Sequence, residues 1–296
     1  MNRRMRMAEG FIAVDWGTTN RRAYLIDLEG RCADEFEDSR GVLSIQAGGF
    51  PDAVAEIRAR LGDQPMLLAG MIGSNRGWIE APYVPCPAGL DDLASALAWA
   101  DDRTAIVPGV RDDQRADVMR GEEVQLLGAV AAGAIPADCR VCHPGTHNKW
   151  VQVAAGRIAS FRTVMTGELF SLLKEHSVLS DLLAPPVALG DAFNAGVRHG
   201  LASGDLQAEL FSVRARVLLG QARREDAASY TSGLLIGGDI RIGLDMAPAA
   251  RVSVMGRPEL TKLYAAALTL AGYDPVELDG EQSFLAGIQH IAERIA

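Results

Sequence analysis

The sequence predicts an α/β fold made of two lobes of related design, with a cleft between them. A short motif, Gly-Thr-x-Asn followed by a basic residue, occurs twice, at 17–21 and at 145–149. Each copy lies between two apolar segments with strand-like alternation, and each is followed by a third such segment and then by helical patterns. A strand meander followed by helices that occurs twice in one chain is typical of two similar α/β lobes. We therefore predict lobes at 1–138 and 139–296.

The first lobe is predicted to begin with strands and to continue with alternating helices and strands. Alternating apolar residues and intervening glycine turns indicate a three-stranded meander at 11–14, 22–26 and 32–37. Two short apolar runs indicate buried strands at 66–69 and 104–107. Helical periodicity indicates helices near 51–61, 90–100 and 121–132.

The second lobe repeats the meander and then becomes mostly helical. Its strands are predicted at 140–143, 150–153 and 158–163. Six helices are predicted at 168–176, 188–203, 205–219, 227–237, 260–271 and 283–295, interrupted by one strand at 251–255.

Composition limits the classes of function. The chain has 296 residues, 48% of them hydrophobic, and a formal net charge of −9. This charge disfavours a nucleic-acid or anionic-membrane partner, so an anionic substrate has to meet locally placed Arg or Lys. No apolar run is long enough to span a bilayer, and the start lacks the apolar core of a secretion signal, so we expect a cytoplasmic protein. The oligomeric state is open, with a homodimer as one option.

The cysteines allow more than one interpretation. Cys139, Cys142 and His143 spell the c-type haem attachment pattern, and with His147 they provide four potential zinc ligands. The pattern, however, lies inside the predicted strand that enters the second Gly-Thr turn, and the remaining cysteines are isolated. A buried strand with two small apolar thiols is the favoured interpretation. A zinc or redox role for Cys139 and Cys142 is the alternative.

The repeated turns have the chemistry of a phosphate site. In a strand–turn–strand hairpin, successive backbone N–H groups can converge on an anion, and glycine lets the backbone approach it closely. Gly17 and Gly145 supply that approach, and the hydroxyls of Thr18, Thr19 and Thr146 add donors. For Thr19 the alternative is a β-branched strand residue. Two such hairpins that face each other could hold a polyphosphate from both sides.

These motifs carry a resemblance to a known superfamily. Asp-x-Gly-Thr-Thr-Asn at 15–20, the second Gly-Thr hairpin and a strand that ends in Gly256 resemble the phosphate-1, phosphate-2 and adenosine motifs of actin, Hsp70 and sugar kinases. The stretches 14–20, 69–87, 120–128, 144–151 and 166–170 resemble the 2-dehydro-3-deoxygalactonokinase family. The resemblance implies actin-like (ribonuclease H-like) lobes with a nucleotide and substrate cleft between them. It also implies ATP-dependent phosphorylation of the terminal 6-hydroxyl of 2-dehydro-3-deoxy-D-galactonate.

The resemblance also implies which residues act on the phosphates and on the acceptor hydroxyl. Asp15 is expected to hold Mg²⁺ directly or through water, because Mg²⁺ is usually bound by one or two carboxylates together with substrate phosphates. The place of the catalytic base is occupied by Gly121-Glu122-Glu123 at the start of a helix. Glu122 is favoured over Glu123 because it directly follows the glycine. The alternative is that both acids favour the helix dipole.

The sugar acid is expected at the glycine-rich loop that follows the strand at 66–69. Ser74 and Asn75 can bond its hydroxyls, and Arg76 can pair with its carboxylate through two hydrogen bonds. Trp78 or Tyr83 can cover an apolar face of the sugar, although core packing is favoured for both. Arg22 and Arg162 are weaker rivals for the carboxylate.

Adenine is expected near Gly256, Arg257 and Pro258, with Gly233 on a neighbouring helix, where packing is an equal alternative. A kinase for a related sugar acid, such as 2-dehydro-3-deoxygluconate, is an alternative function. A nucleotide switch or a non-catalytic sugar sensor of the same fold is a further one. Neither of these accounts for the acidic helix start beside a polar loop.

Overall fold

The computed structural model describes residues 10–246 and 251–295. The strands are β1 Phe11–Trp16, β2 Arg21–Ile26, β3 Cys32–Asp38, β4 Met66–Gly70, β5 Tyr83–Pro85, β6 Ala98–Asp101, β7 Thr104–Ile106, β8 Gly109–Asp112, β9 Asp117–Met119, β10 Cys139–His143, β11 Asn148–Ala154, β12 Arg157–Val164, β13 Arg251–Gly256 and β14 Asp274–Asp279. The helices are α1 Phe50–Leu61, α2 Leu90–Ser95, α3 Glu122–Ala131, α4 Thr166–His176, α5 Ser180–Leu183, α6 Asp191–Ala202, α7 Leu206–Leu218, α8 Ala227–Leu244, α9 Pro258–Leu270 and α10 Gly280–Ile295.

The chain forms two compact units that are not consecutive halves of the sequence. The described residues of 1–138, together with 153–160 and 280–295, form the first unit. Those of 139–152 and 161–279 form the second. The chain thus returns twice to the first unit, the second time with α10. The predicted functional lobes at 1–138 and 139–296 stay a prediction.

The first unit is built on a six-stranded sheet with the order β3-β2-β1-β4-β7-β6. The meander β1–β2–β3 is antiparallel, whereas β4 runs parallel to β1 and β7 runs parallel to β4. All five residues of β4 are buried, as expected for a central parallel strand covered on both faces. The apolar side chains of β1 and β4 pack against α1 and form the core of this unit.

Helix α3 is fixed to α10 by a close backbone approach. A Cβ added to Gly128 of α3 would lie 2.0 Å from the carbonyl oxygen of Ser283, and one added to Gly287 of α10 would lie 2.1 Å from that of Val124. Only glycine at these positions lets the two helices come so close. Because α3 begins with the two candidate acids, α10 helps to position them.

The second unit is built on a sheet with the strand order β12-β11-β10-β13-β14. Residues 153–160, at the end of β11 and the start of β12, belong to the first unit. β10, β13 and β14 run parallel. Helices α8 and α9 cover the sheet with a core that includes Trp150, Val254 and Tyr264. α6 and α8 pack through glycines, since a Cβ on Gly196 would lie 2.1 Å from the carbonyl oxygen of Tyr230.

The predicted α/β fold class and most of the predicted elements are confirmed. The helix predicted at 90–100 is wrong, because the chain forms the short α2 and then turns into β6, which pairs with β7 at the sheet edge. The small sheet β5-β8-β9, the edge strand β14 and the one-turn α5 were not predicted. In the described ranges, no helix is both long and apolar enough to cross a membrane.

Candidate active site

The first Gly-Thr turn connects β1 to β2 and is held by backbone hydrogen bonds. Within the turn, the N–H of Gly17 donates to the carbonyl of Asn20 at 2.9 Å. A second segment supports the turn from outside: Gly41 N–H donates to Thr19 O at 2.9 Å, and the next two N–H groups donate to the carbonyls of Gly17 and Thr18. The Thr18 and Thr19 side chains are exposed. The turn is thus rigid and presents its hydroxyls outward.

Three segments of the first unit converge at the carboxyl end of β1. Asp15 is half-buried there, and a Cβ on Gly70, at the end of β4, would lie 3.3 Å from its Oδ1. A Cβ on Gly121, just before α3, would lie 3.3 Å from the Cα of Gly70. Both glycines have positive φ angles, +91° and +107°, which other residues rarely adopt. The glycines therefore bring the acidic start of α3 close to Asp15.

The two acids at the start of α3 have different environments. Glu122 is half-buried, and one of its oxygens accepts the N–H of Arg120 at 3.1 Å. Glu123 is 0% exposed and accepts the N–H of Gly121 at 2.7 Å, while its Oε1 has no hydrogen-bond partner among the residues described. Burial and the neighbouring Glu122 charge raise the pKa of Glu123 to about 8. Glu122 is thus the acid that a ligand can reach, and its role as base stays a prediction.

The glycine-rich loop after β4 is closed on itself. Ser74 is buried, and its hydroxyl donates to the carbonyl of Met71 at 2.7 Å and accepts the N–H of Arg76 at 3.2 Å. Asn75 and Arg76 are exposed, and their side chains make no hydrogen bond or ion pair with the described part of the chain. Ser74 therefore shapes the loop, whereas Asn75 and Arg76 are open to a ligand.

The two aromatic candidates in this loop are both engaged in packing. Trp78 is half-buried against the core of the first unit. The ring of Tyr83 lies beneath a guanidinium, with the Cζ of Arg120 4.3 Å from its centroid. Core packing, which the sequence favoured for both rings, is therefore the role that the structure shows for Trp78. The predicted contacts of both rings with the sugar stay predictions.

The weaker rivals of Arg76 have different surroundings. Arg22 pairs with Glu37 at 3.0 Å and with Glu281 at 3.4 Å, so its charge is already compensated. Arg162 is an exposed residue of β12 and belongs to the second unit, not to the unit that carries the loop.

Sequence reasoning missed Arg120, which is only 9% exposed. Its Nη2 donates to the carbonyl of Ala81 at 2.7 Å, and its guanidinium stacks on Tyr83. Its Nη1 would lie 2.7 Å from a Cβ on Gly73, so only a glycine fits over it. Its Nε and Nη1 are buried and have no hydrogen-bond partner in the described ranges. The available signal was a basic residue directly before Gly-Glu-Glu.

The second Gly-Thr turn connects β10 to β11 and is packed against the start of α4. A Cβ on Gly167 would lie 2.4 Å from the carbonyl oxygen of Gly145, and the N–H of Glu168 donates to the carbonyl of Thr146 at 2.9 Å. The imidazole of His147 contacts the carboxylate of Glu168. Both the turn and the start of α4 lie at the carboxyl edge of β10 and β12.

A buried carboxylate, also missed by sequence reasoning, supports this second turn. Asp239 of α8 is 1% exposed and accepts hydrogen bonds from Asn148 Nδ2 at 3.0 Å and Trp150 Nε1 at 2.7 Å. The hydroxyls of Thr166 and Tyr264 also donate to it. Burial raises the pKa of Asp239, although the four donors oppose that shift. A lone acid within an apolar helix was the only sequence signal.

The predicted adenosine loop lies beside the second turn. β13 pairs in parallel with β10 and ends at Gly256, where a Cβ would lie 2.9 Å from the carbonyl oxygen of Pro144. Arg257 then precedes Pro258, the first residue of α9, as is common at helix starts. These residues therefore share one edge of the sheet with Gly145 and Thr146, and their contact with adenine stays a prediction.

Gly233 has a packing role in the structure. A Cβ on this residue of α8 would lie 2.2 Å from the carbonyl oxygen of Phe193 in α6. The packing alternative therefore explains the glycine, and its position gives no support to a contact with adenine.

The cysteine pattern lies in β10, as predicted. Cys142 is buried and its thiol contacts Asn148 Oδ1 at 3.5 Å, while burial raises its pKa well above the usual range. Cys139 is half-buried, and neither cysteine is part of a disulfide. No cluster of three or more potential metal ligands occurs in the described ranges. The single carboxylate of Asp15 fits Mg²⁺, because that ion keeps waters and binds substrate phosphates.

A cavity of about 220 Å³ lies within the second unit, between α4, α6 and α8. Its walls are mostly apolar and include the side chains of Glu209 and Arg241. It borders Thr166 and Asp239, but no residue predicted from the sequence lines it.

Comparisons with known proteins identify the family. The model of the 2-keto-3-deoxy-galactonokinase family matches residues 15–291. The 2-dehydro-3-deoxygalactonokinase of Escherichia coli K12 is 38% identical over 98% of this chain and 100% of its own. A probable 2-dehydro-3-deoxygalactonokinase of Rhizobium meliloti is 36% identical over 98% and 99%.

Solved structures support the same assignment. A candidate 2-dehydro-3-deoxygalactonokinase protein from Sinorhizobium meliloti superposes with a TM-score of 0.90 at 35% identity, over 96% of this chain and 98% of the other. The activator of 2-hydroxyisocaproyl-CoA dehydratase from Clostridium difficile, with a TM-score of 0.51 at 11% identity over 96% and 95%, shares the fold alone. The family model and the two kinase sequences from Escherichia coli and Rhizobium meliloti match nearly the whole chain. This chain therefore belongs to the 2-keto-3-deoxy-galactonokinase family.

Proposed function

We propose that this protein is an ATP-dependent kinase that phosphorylates the terminal 6-hydroxyl of 2-dehydro-3-deoxy-D-galactonate in galactonate catabolism. The observation that carries the proposal is the convergence of Asp15, the Gly70 turn and the start of α3 in the unit with the polar loop. Phosphoryl transfer needs charge neutralisation, positioning and an acceptor for one proton. The first unit offers a residue for each.

Glu122 is the proposed base. Its carboxylate would accept the proton of the 6-hydroxyl as the new O–P bond forms and the bond from phosphorus to the leaving ADP oxygen breaks. The N–H of Arg120 holds one of its oxygens, so the carboxylate has a defined orientation. Glu123 would act by fixing the N–H of Gly121, because its buried side chain is directed into the helix start.

The phosphates of ATP would be bound by the two Gly-Thr turns. Gly17, Thr18 and Thr19 in the first unit, and Gly145 and Thr146 in the second, offer N–H and hydroxyl donors to phosphate oxygens. Asp15 would hold Mg²⁺, which supplies charge neutralisation on the β- and γ-phosphates when bound.

The substrates would be recognised by different units. Asn75 in the loop after β4 would bond the hydroxyls of the sugar acid, while Gly256, Arg257 and Pro258 would form the adenosine site. A homodimer and a cytoplasmic location stay predictions. The gluconate epimer is the second candidate substrate, because no described contact distinguishes the two stereochemistries.

An ADP-release assay with MgATP tests this function. We expect turnover with 2-dehydro-3-deoxy-D-galactonate, weaker turnover with the gluconate epimer, none with parent sugars, and a strict requirement for a divalent metal. ATP hydrolysis that is indifferent to every sugar acid would contradict the kinase and favour a nucleotide switch.

A further inference from the structure

The guanidinium of Arg120 is an unusual group to bury. It lies beneath the glycine-rich loop of the first unit and forms no direct ion pair with a carboxylate of the described chain, although its charge opposes the rise in the pKa of the buried Glu123. A buried charge without an ionic partner is costly, and unpaired buried donors add to that cost. Two of its three nitrogens, Nε and Nη1, are such donors. The site is thus electrostatically prepared for an anion.

The guanidinium is also held in a fixed orientation. Nη2 donates to Ala81 O at 2.7 Å, and the plane of the group lies over the ring of Tyr83. A positioned fork of donors binds a carboxylate with less loss of side-chain entropy than a mobile arginine does. Arg76, by contrast, is exposed, and its side chain has no partner within residues 10–246 and 251–295 that would fix it.

We propose that Arg120, rather than the exposed Arg76, recognises the carboxylate of the sugar acid. This inference rests on the proposed function and identifies the residue that selects an acid over a neutral sugar. Because Arg120 is two residues from Glu122, one short segment supplies both the cation for one end of the substrate and the base for the other. Of the two unpaired donors, Nη1 lies under the Gly73 turn, so the carboxylate reaches it when the segment 73–77 moves away from the guanidinium.

The far end of the glycine-rich loop is anchored, because Trp78, Ile79 and Ala81 pack in or against the core of the first unit, whereas Asn75 and Arg76 are exposed. Its closure depends on the hydrogen bonds from Trp78 N–H to Ile72 O and from Ala81 N–H to Gly73 O, both 2.9 Å, and on the contact of Arg120 with Ala81 O. Motions of such loops on substrate binding are common in kinases.

The test compares kcat/KM for 2-dehydro-3-deoxy-D-galactonate with kcat/KM for its neutral C1 amide. The ratio of the two values reports recognition of the carboxylate and is insensitive to general loss of activity. In Arg120→Met we expect kcat/KM for the acid to fall about 10- to 100-fold, as for loss of a charged hydrogen bond, with the amide changed less than threefold. The ratio of kcat/KM for the acid to kcat/KM for the amide should therefore fall toward one.

Three further variants complete the design. Arg120→Lys keeps the charge but not the fork, so the ratio should fall at least threefold; this variant decides the question if Arg120→Met does not fold. Arg60→Met is the matched control, because Arg60 also lies over a ring, that of Phe36 at 4.0 Å, but on the exposed face of α1. Its ratio should be unchanged. Arg76→Met tests the residue expected from the sequence.

The outcomes separate this inference from the function on which it rests. Equal loss for acid and amide in the Arg120 variants would overturn it and make Arg120 a residue that only shapes the loop. A collapse of the ratio in Arg76→Met, with Arg120→Met unaffected, would also overturn it. Unmodified enzyme that phosphorylates no sugar acid would instead contradict the proposed function itself.

Discussion

The two Gly-Thr turns have nearly the same sequence but are supported in different ways. The first is held by backbone hydrogen bonds from the segment that begins at Gly41, and the neighbouring Asp15 stays accessible at the end of its strand. The second is supported through side chains by Asp239, whose carboxylate is fully used by four donors. The first turn thus has an aspartate on the strand that enters it, whereas the second turn is supported by an aspartate from a distant helix, α8.

The largest effect is expected from the acids beside the first turn. Glu122→Gln removes the proposed base and should lower kcat by roughly 10²–10⁴-fold, the usual worth of general base catalysis, with nucleotide affinity nearly unchanged. Glu123→Gln is the matched control, because its amide oxygen can still accept the N–H of Gly121, and its kcat should change much less. Steady-state kinetics distinguish the two, and the reverse ranking would assign the base to Glu123.

The two aspartates should give opposite phenotypes. Asp15→Asn should lower kcat by roughly 10²-fold or more, because it weakens charge stabilisation at the phosphates, while its free energy of unfolding changes by less than about 1 kcal/mol. Asp239→Asn places an amide against four donors and should lower the free energy of unfolding by about 3 kcal/mol. Urea unfolding and kinetics of both variants test this. Equal stability losses would remove the difference between the two turns.

The pH dependence of stability should sharpen the contrast between Glu122 and Glu123. The pKa of Glu123 is about 8 in the folded protein, above its usual value of 4.5, so the folded state binds more protons between these values. Its contribution to stability is therefore complete below about pH 4.5 and is lost as pH rises toward 8, by up to about 1.4 kcal/mol per pH unit. Unfolding of Glu123→Gln should depend less on pH over this interval, and an unchanged slope would contradict the burial of that charge.

The smallest effects are expected from single hydroxyls. Tyr264→Phe removes one of the four donors to Asp239 and should cost about 1 kcal/mol of unfolding free energy. Thr18→Val in the first turn removes an exposed hydroxyl from a turn held by its backbone, so its cost should stay below about 0.5 kcal/mol. Thermal unfolding compares them, and a larger loss in Thr18→Val would show that the first turn also depends on side chains.

The sequence was informative where local pattern decides structure. The alternation of β1–β3 and the glycine before α3 were sufficient to predict these elements within one or two residues. The helix predicted at 90–100 failed because pairing with β7 overrides the helical preference of 98–101. Strands of three or four residues, such as β5 and β9, carry too short a pattern to be recognised.

The turns of the candidate site could be predicted from the sequence, but the buried residues that hold the turns and the loop in place could not. Asp15 and Glu122 stand beside glycines in recognisable motifs. The four donors to Asp239 come from three elements far apart in the chain, β11, α4 and α9, and no local pattern links Asn148 to Thr166 or Tyr264. Arg120 was overlooked because its burial depends on the packing of a separate loop, which only the folded chain shows.

The central claim is phosphoryl transfer from ATP to the terminal hydroxyl of a sugar acid, and the position of the phosphate in the product tests it most directly. Phosphorus–proton correlation NMR of the product from 2-dehydro-3-deoxy-D-galactonate and MgATP should show phosphorus coupled to the C6 protons, with one ADP formed per product. A phosphate on another carbon, or ADP with inorganic phosphate and unmodified sugar acid, would contradict the account.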